Sequence, residues 1–235
     1  MLIILLEPFF GGSHQQWAEG FQKHSQHEVE ILSLPARFWK WRMYGGAVEL
    51  AKKFNALDYQ ADLILASDML DLATFLALTR KKSAHLPCAV YFHENQITYP
   101  WSPQDQDVQL QRDNQYGFIN YTSTLAADRI FFNSQFHLDS FTGALPGFLK
   151  QFPDYNGATS VLDIRNKSSV LSLGLDLIRL DLNTIPRGDF IPIILWNHRW
   201  EYDKQPEVFF ETLFRLKAEG IKFKLSVLKP ICLLR

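Results

Sequence analysis

The sequence has little of what marks secreted or membrane proteins. It has two cysteines in 235 residues, Cys88 and Cys232, and their separation together with the apolar run around Cys88 favours free thiols in a reducing compartment. No apolar run reaches the roughly 20 residues needed to cross a bilayer. The apolar start ends at Glu7 and Pro8 without the basic residues or the cleavage site of a signal peptide. We therefore expect a cytoplasmic or nuclear protein that does not use a membrane as a partner.

An excess of charge of one sign is also missing. The 24 basic and 25 acidic residues leave a formal net charge of -1, so no overall positive field would draw the protein onto a nucleic acid or an anionic membrane. A polyanion must then be bound by a local patch. Hydrophobic residues make up 47% and charged residues 21% of the chain, which is typical of a folded globular protein and not of disordered, collagen-like or coiled-coil chains.

Several catalytic motifs are absent. The sequence contains no G-x-S-x-G elbow, no Walker loop, no C-x-x-C pair and no G-x-G-x-x-G fingerprint. These absences disfavour hydrolases, P-loop kinases, zinc ribbons and nicotinamide-dependent enzymes. There is no H-E-x-x-H spacing either, and His93 and Glu94, as neighbours at a strand end, would point in opposite directions. We therefore expect no metal site.

Short β-rich runs alternate with longer helical patterns along most of the chain. The predicted strands are 2–6, 29–34, 62–66, 88–92, 129–132 and 170–173, and the predicted helices are 14–23, 47–54, 71–79, 110–127 and 136–149. Several of the strands are apolar throughout, as strands covered on both faces by helices are. The βαβα order predicts an α/β protein with a parallel, doubly wound sheet and right-handed crossovers.

A second domain is predicted after a polar, irregular stretch at residues 176–189. We place the first domain at residues 1–180 and the start of the second at residues 189–235. The second consists of strand 190–196, loop 197–203, helix 206–218 with Gly220 as its C-cap, and strand 223–228. A single strand–helix–strand unit covers only one face of its sheet, so the second domain is predicted to be incomplete.

Polar residues follow the predicted strands, and sites in doubly wound sheets gather at the carboxyl ends of strands. After the first strand, Gly11 and Gly12 lead into a helix, where bare backbone N–H groups suit a phosphate or a sugar oxygen. A tight strand-to-helix turn with Ser13 as its N-cap explains the same residues equally well.

The fourth strand ends in an imidazole, a carboxylate and an amide, at His93, Glu94 and Asn95. Such a cluster can hydrogen-bond sugar hydroxyls or move a proton. The structural alternative is a satisfied histidine at the sheet edge with polar loop neighbours. We favour function because the strand ends in the open rim of an α/β sheet. Glu94 and Asn95 are candidates for contacts with the acceptor of a reaction at this rim.

The segment 37–44 interleaves cations with aromatic rings and is predicted to be a loop. Cations can meet phosphates while rings stack on unpaired bases, so this segment is a candidate nucleic-acid contact. The alternative is a loop that packs its tryptophans against the domain. The candidate residues are Arg37, Trp39, Lys40, Trp41 and Arg42.

Two cations, Arg199 and Lys204, flank the start of the predicted helix in the second domain. A diphosphate would find both positive charge and free backbone N–H groups there. The alternative is a pair of surface cations neutralised by Glu201 and Asp203. The spacing does not decide between the two.

Four segments in this order resemble the glycosyltransferase-like domain-containing protein 1 family, the tRNA-queuosine α-mannosyltransferases. The segments are 7–14 (EPFFGGSH), 92–96 (FHENQ), 133–136 (NSQF) and 196–204 (WNHRWEYDK), and the resemblance spans residues 1–228. It implies a GT-B fold, in which two Rossmann-like domains face each other across a cleft. It also implies retaining transfer of mannose from GDP-mannose to queuosine at the wobble position of cytosolic aspartate tRNA, with no cofactor, no metal and no obligate protein partner.

The resemblance also implies roles for individual residues. Gly11 and Gly12 look like the loop that approaches the donor diphosphate or the transferred sugar, and His93 looks like the catalytic histidine near that sugar. Arg199 and Lys204 look like the cations that neutralise the diphosphate as it leaves.

The sequence departs from the family pattern after Leu228. In the family a Gly-Glu turn follows, and beyond it an acidic, glycine-containing motif grips the nucleotide and the sugar. Residues 229–235 here are KPICLLR, as expected of an altered reading frame or splice end. We therefore expect weak or absent transferase activity from this chain itself. Two alternatives stay open: a non-catalytic truncated isoform that binds tRNA or partners, and a GT-B glycosyltransferase with another donor or acceptor.

Overall fold

The computed structural model describes residues 1–110, 112–157, 159–175, 177, 191–198 and 200–228. The chain forms two compact units, one of Met1–Tyr99 with Gln111–Leu175 and the other of Pro100–Leu110 with Asp176–Arg235. Most of the candidate site residues belong to the first unit.

A six-stranded sheet forms the centre of the first unit. Its strands are β1 (Leu2–Phe10), β2 (Glu28–Pro35), β3 (Leu63–Ser67), β4 (Cys88–Phe92), β5 (Arg129–Phe132) and β6 (Ser168–Val170). Their order across the sheet is β2-β1-β3-β4-β5-β6, and neighbouring strands are parallel throughout.

Helices cover both faces of this sheet. They are α1 (Gly12–His24), α2 (Trp39–Asn55), α3 (Leu72–Ser83), α5 (Asn114–Ala126), α6 (Gln135–Leu149) and α7 (Ser160–Asn166). The short helix α4 (Gln106–Gln109) belongs to the second unit. Ile3 and Leu5 of β1 share a buried cluster with Ala18 of α1, whereas Ile4 and Leu6 belong to a second cluster with residues of α2, α3 and α6. Because alternate residues are buried on opposite faces, residues 2–6 of the strand are all apolar. The predicted α/β class and doubly wound sheet are confirmed.

The strand order reverses between β1 and β3. From β1 the chain goes to β2 on one side, and then returns to β3 on the other. In open α/β sheets, ligands bind outside the carboxyl ends of the strands at such a reversal. These ends are Phe10 of β1 and Ser67 of β3. The crevice that they flank is the part of the rim from which the candidate site is built.

The predicted end of β1 is wrong, and so is the alternative in which Ser13 caps α1. The strand continues through Glu7 to Phe10, although a carboxylate is unusual inside a buried strand, because both Glu7 oxygens accept hydrogen bonds. The N-cap of α1 is Gly11, not Ser13, which lies inside the helix.

The predicted loop at residues 37–44 is also wrong, because α2 begins at Trp39 and includes most of that segment. The predicted helix began only at residue 47, after Gly45 and Gly46. Gly46 instead allows close packing of α2 against β1, since a Cβ there would lie 2.9 Å from the Cβ of Pro8. At the other end of the sheet, β6 ends at Val170, where the predicted strand began.

The second unit contains β7 (Ile193–Trp196), a short 3-10 helix (Tyr202–Lys204), α8 (Pro206–Ala218) and β8 (Lys224–Val227). Strands β7 and β8 are parallel neighbours, so the predicted strand–helix–strand unit is confirmed. The Trp196 ring packs on Phe209 and Phe210 of α8, with centroids 4.5 and 6.0 Å apart. Glu219 caps α8, and the predicted cap Gly220 follows it with a φ of 77°. No helix in the described ranges is long and apolar enough to span a membrane.

Candidate functional site

Polar side chains are buried at the carboxyl edge of the six-stranded sheet. They are Glu7, Asp68, Asn95, Gln96, Asn120 and His137, each less than a tenth exposed. Burying such groups costs free energy unless each is paired, so the fold must supply their partners. Hydrogen bonds within the protein satisfy most of these polar groups. The buried polar atoms that lack a partner indicate the candidate site.

Three buried side-chain atoms at this edge have no hydrogen-bond partner: Ser67 Oγ, His93 Nε2 and Gln96 Oε1. Over the described ranges, the remaining atom of this kind is Trp196 Nε1, in the second unit. A buried polar atom left unpaired costs about 1–3 kcal/mol. Because three of them lie at the ends of β3 and β4, this edge is suited to a ligand that offers hydroxyl or amide groups.

Gly11 and Gly12 connect β1 to α1, and each must be glycine for a different reason. A Cβ on Gly11 would lie 2.6 Å from the Cβ of Ala36, so packing excludes a side chain. Gly12 has a φ of 55°, and no atom lies within 4 Å of where its Cβ would be. Its left-handed conformation requires glycine, while the open space around it leaves its backbone accessible to a ligand.

A buried ion pair joins β1 to the first turn of α1. Glu7 is fully buried, and its Oε2 lies 3.1 Å from Nδ1 of His14. Its Oε1 accepts a hydrogen bond from the backbone N–H of Phe9 at 2.9 Å. Burial opposes the charged form of His14, but the hydrogen bond to Glu7 and the nearby carboxylates outweigh it and raise its pKa to about 9. His14 is therefore a cation at neutral pH.

The His93 ring is enclosed by aromatic side chains. The rings of His14, Trp17 and Tyr91 surround it, with centroids 4.4, 4.6 and 4.9 Å away. Burial in this cage, together with the positive charge of His14, lowers the pKa of His93 to about 3. The ring is therefore neutral, and its Nε2 is suited to a hydrogen bond with a neutral ligand group.

The main chain of His93 is held from both sides. Its N–H donates to Oδ1 of Asp68, which follows β3, and its carbonyl accepts from Nδ2 of Asn133, which follows β5, both at 2.8 Å. Asn120 of α5 in turn donates to the carbonyl of Asp68 at 2.9 Å. Burial raises the pKa of the Asp68 carboxyl to about 8, so that this group is mostly protonated at neutral pH. The ends of three strands thus fix where the His93 ring lies.

A second histidine completes the network behind His93. His137 Nδ1 lies 3.1 Å from Oδ1 of Asn133, and its Nε2 lies 2.9 Å from Nδ2 of Asn95. The Asn133 oxygen must accept and the Asn95 nitrogen must donate, so the neutral tautomer of His137 with the proton on Nδ1 fits both. Burial lowers its pKa to about 4, in agreement with a neutral ring.

Glu94 and Asn95 differ in how the fold uses them. Asn95 is buried, and its Oδ1 accepts from the backbone N–H groups of Ile97 and Thr98, so it organises the loop after β4. Glu94 is partly exposed and receives a long hydrogen bond of 3.4 Å from Nε2 of Gln96. Of the two candidates, Glu94 is the more accessible.

One group in the described part of the chain has the spacing of a metal site. Glu7, His14 and His93 bring a carboxylate oxygen and two ring nitrogens within 4.8 Å of one another. A metal would need an unprotonated nitrogen on each histidine. The hydrogen bond between His14 Nδ1 and Glu7 Oε2 explains the closeness of these two residues as an ion pair, without a metal. Our expectation of a metal-free site stays a prediction.

The aromatic and basic residues at the start of α2 separate into packed and exposed groups. Trp39 packs on Tyr116 of α5, with ring centroids 5.3 Å apart, and Arg42 Nε donates to the carbonyl of Pro35. Trp41 is 63% exposed, and Arg37 is exposed as well. The exposed members follow β2, whose end belongs to the same carboxyl edge as the ends of β1 and β4.

Phe38 extends this exposed group, and the partly exposed Lys40 lies close to it in the chain. Phe38 is 77% exposed and adopts a left-handed φ of 52° at the N-cap of α2, which is uncommon for a bulky residue. Lys40 Nζ lies 5.7 Å from the centroid of the Trp39 ring. The start of α2 therefore offers cations and rings side by side.

The two predicted diphosphate cations lie in the second unit. Arg199 lies outside the described residues. Lys204 ends the short 3-10 helix, and its Nζ forms an ion pair with Oδ2 of Asp203 at 2.7 Å. This ion pair agrees with the alternative in which Lys204 is a surface cation neutralised by Asp203.

Sequence reasoning singled out His93, Gly11 and Gly12 as candidate site residues. It missed the residues that contact and position His93. Asp68 follows the predicted strand 62–66 but was given no role, and His14 entered only as the last residue of the segment 7–14. Asn120 and His137 were not noticed at all. The sequence offered no clear signal for these two, because Asn120 shares the buried face of α5 with Ser123 and Thr124, and His137 shares that of α6 with Thr142.

Comparison with known proteins agrees with this architecture. Residues 2–175 match a family model described as tRNA-queuosine alpha-mannosyltransferase N-terminal. A curated relative from Drosophila melanogaster, the tRNA-queuosine alpha-mannosyltransferase, is 35% identical over 234 residues. That match covers 96% of this chain and 60% of the relative. Because the family model covers most of its length, this chain belongs to the tRNA-queuosine alpha-mannosyltransferase N-terminal family.

Proposed function

We propose that this chain supplies the His93 side of a mannosyltransferase active site, which transfers mannose from GDP-mannose to queuosine at the wobble position of cytosolic aspartate tRNA. One observation carries the proposal: in a chain of this family, three buried polar atoms without a hydrogen-bond partner belong to residues at or just after the carboxyl ends of β3 and β4, on the sheet edge where α/β proteins bind ligands. The hydroxyl groups of a sugar can pair such atoms.

In this proposal the chemistry is a displacement at the sugar C1 with retention. The bond between C1 and the diphosphate oxygen breaks, and a bond from the acceptor oxygen to C1 forms on the same face. The acceptor proton passes to an oxygen of the departing diphosphate, so no carboxylate pair, metal or cofactor is needed. Neutralising the charge that develops on the diphosphate stays the role that the family resemblance implies for Arg199 and Lys204.

The residues of the first unit would position the sugar for that step. His93 Nε2 would hydrogen-bond a hydroxyl of the mannose, and because the ring is neutral it can do so without attracting the diphosphate. The accessible backbone at Gly12 would lie against the diphosphate or the sugar. The cage around His93 limits the movement of its ring, which favours a fixed geometry during transfer.

The start of α2 is the proposed tRNA contact. The chain has a net charge of -1, so an RNA must be met locally. Arg37, Lys40 and Arg42 would meet phosphates, while Trp41 and Phe38 would stack on unpaired bases. Since the proposed acceptor is a cytosolic tRNA, we place the reaction in the cytoplasm, with the nucleus as a second location, and we invoke no obligate protein partner.

This chain spans 60% of the Drosophila relative, so the complete donor site is not proposed for it. We propose that this chain alone transfers mannose weakly or not at all, and that it still folds and binds tRNA. A transferase of the same fold with another donor or acceptor is the remaining candidate, and the acceptor specificity in the assay below separates the two.

The test is transfer of radiolabelled mannose from GDP-mannose to aspartate tRNA with or without queuosine. This chain is compared with a chimera in which the remaining C-terminal part of the Drosophila relative follows residue 228. We expect transfer by the chimera only, and only to the queuosine-containing tRNA. Transfer to neither tRNA by a folded chimera would contradict the proposed donor or acceptor.

A further inference from the structure

Asn120 of α5 joins two segments of the candidate site through both ends of its carboxamide. The side chain is fully buried. Its Nδ2 donates to the carbonyl of Asp68, which follows β3, at 2.9 Å, and its Oδ1 accepts from the backbone N–H of Gln96, which follows β4, at 2.7 Å. These partners lie 52 and 24 residues away along the chain. One side chain therefore ties together the main chains that follow two neighbouring strands.

The segments that Asn120 joins carry the three buried polar atoms without a partner at this edge of the sheet. Ser67 ends β3 and directly precedes Asp68, whereas His93 and Gln96 belong to the loop after β4. The Asp68 side chain also accepts from the backbone N–H of His93 at 2.8 Å. The spacing between Ser67 Oγ, His93 Nε2 and Gln96 Oε1 thus depends on how these two segments are joined.

A carboxamide is suited to holding the two segments at one distance. Its nitrogen and oxygen belong to a single planar group, so the separation of the two partners is fixed. Water molecules could pair the same main-chain groups, but they would not fix their separation. Asn120 lies on a helix, where a side chain is placed more precisely than on a loop. Because it is 0% exposed, it acts through its partners and not on a substrate.

A second buried polar residue on the same face of α5 makes a comparable tie elsewhere. Ser123 follows Asn120 by nearly one helical turn and is also fully buried. Its Oγ donates to the carbonyl of Leu70 and accepts from the backbone N–H of Leu72, both at 3.1 Å. Ser123 therefore ties α5 to the start of α3, beyond the residues that carry the unpaired atoms. This makes it a matched control for Asn120.

We propose that Asn120 is a positioning residue of the transfer site, which acts through the main chains of Asp68 and Gln96 to fix the spacing of the three unpaired polar atoms. This inference rests on the proposed function, because the sugar of that reaction is the ligand that these atoms would pair. It assigns a role in transfer to a side chain that the substrate does not touch.

The first test is kinetic and uses the chimera described above. The variants are Asn120→Ala, Asn120→Ser and the control Ser123→Ala. In Asn120→Ser, the hydroxyl and a water molecule can pair the two main-chain groups without joining them. We expect kcat for mannose transfer to fall about tenfold to 100-fold in both Asn120 variants, and by more than KM for GDP-mannose rises. Ser123→Ala also removes two buried hydrogen bonds to the main chain, yet it should keep both values.

The second test uses this chain alone and needs no transfer activity. The rings of Trp17 and Tyr91 lie 4.6 and 4.9 Å from the His93 ring, so their ring currents shift the NMR signals of the His93 ring protons. We expect these signals to move toward those of an exposed histidine in both Asn120 variants and to stay in place in Ser123→Ala. Circular dichroism shows whether each variant is folded.

Two results would overturn the inference. One is a folded Asn120 variant of the chimera with the same kcat as Ser123→Ala. The other is His93 ring signals that stay in place in both Asn120 variants of this chain. If the unmodified chimera transfers no mannose, the proposed function fails, and the ring signals still decide whether Asn120 positions His93.

Discussion

The two sheets of this chain differ in how much of their surface they bury. In the six-stranded sheet, helices cover both faces, and Ile4 and Leu6 of β1 are fully buried. In the two-stranded sheet, Ile193 and Leu195 of β7 are 67% and 52% exposed, and Trp196 is the buried residue of that strand. The first unit thus has a core of its own, whereas the described part of the second depends on one aromatic cluster. We expect the two units to lose structure separately, and each prediction below tests that difference or refines it.

The largest effect is expected in the core of the first unit. Phe141 of α6 is fully buried and packs on Phe92 and Phe132, so Phe141→Ala should lower the free energy of unfolding of that unit by about 3–5 kcal/mol. Phe136→Ala, on the same helix but 82% exposed, is the control and should stay within about 0.5 kcal/mol. Native-state hydrogen exchange measures the two units separately. A loss of protection in the second unit of the same size would show that the units unfold together.

Acid should destabilise the first unit through His137. Its pKa is lowered to about 4 in the folded chain, so the unfolded chain binds the proton first, and stability present above pH 6.5 is lost as the pH falls toward 4. We expect about 2 kcal/mol of this loss to disappear in His137→Gln, which keeps a donor and an acceptor for Asn133 and Asn95. Urea denaturation at pH 7 and pH 4.5 gives the difference. An unchanged pH dependence would mean that His137 is already charged in the fold.

Two glycines inside helices test whether close packing or helix propensity determines how an alanine substitution changes the stability of the first unit. Gly46→Ala would place a methyl 2.9 Å from Pro8 and should destabilise the unit by about 1–2 kcal/mol. Gly143→Ala, inside α6 with no atom within 4 Å of the new methyl, should stabilise it by about 0.5–1 kcal/mol. Thermal melting of the two variants provides the comparison. Equal shifts of the same sign would contradict the close approach of α2 to β1.

Substitutions at the exposed start of α2 are expected to have the smallest effect on stability but a clear effect on tRNA binding. Because Trp39 packs on Tyr116, replacing Trp39 would change the stability of the fold as well as tRNA binding. The double variant Trp41→Ala with Arg37→Ala replaces exposed residues instead. This double variant should weaken tRNA binding about tenfold while the melting temperature hardly changes. Phe214→Ala with Arg215→Ala, an exposed aromatic and cation on α8, is the matched control. Equal loss in both double variants would point to non-specific charge.

The sequence predicted the architecture where local patterns were unambiguous. Strands β4 and β5 and helix α8 have the predicted bounds, because polar residues or a proline mark the ends of the apolar runs there. The start of α2 was missed because glycine can either break a helix or let it pack closely, and only the neighbouring strand distinguishes the two. The end of β1 was missed because a buried glutamate is unexpected until its partner His14 is known.

The candidate site could be predicted only in part for a similar reason. His93 and the glycines lie in contiguous motifs, whereas the charge states of the two neighbouring histidines depend on contacts between separate strands and helices. Glu7 and His14 are seven residues apart and meet only because the turn at Gly11 and Gly12 folds α1 back along β1. No rule based on sequence spacing predicts this contact between Glu7 and His14.

The most direct test of the account is the initial rate of mannose transfer by the chimera when His93 is replaced. The account predicts that His93→Ala lowers the rate at least about 100-fold without a change in tRNA affinity, whereas His85→Ala, an exposed histidine between α3 and β4, leaves it unchanged. A folded His93→Ala chimera that transfers mannose at the unmodified rate would contradict the central claim that this crevice is the site of transfer.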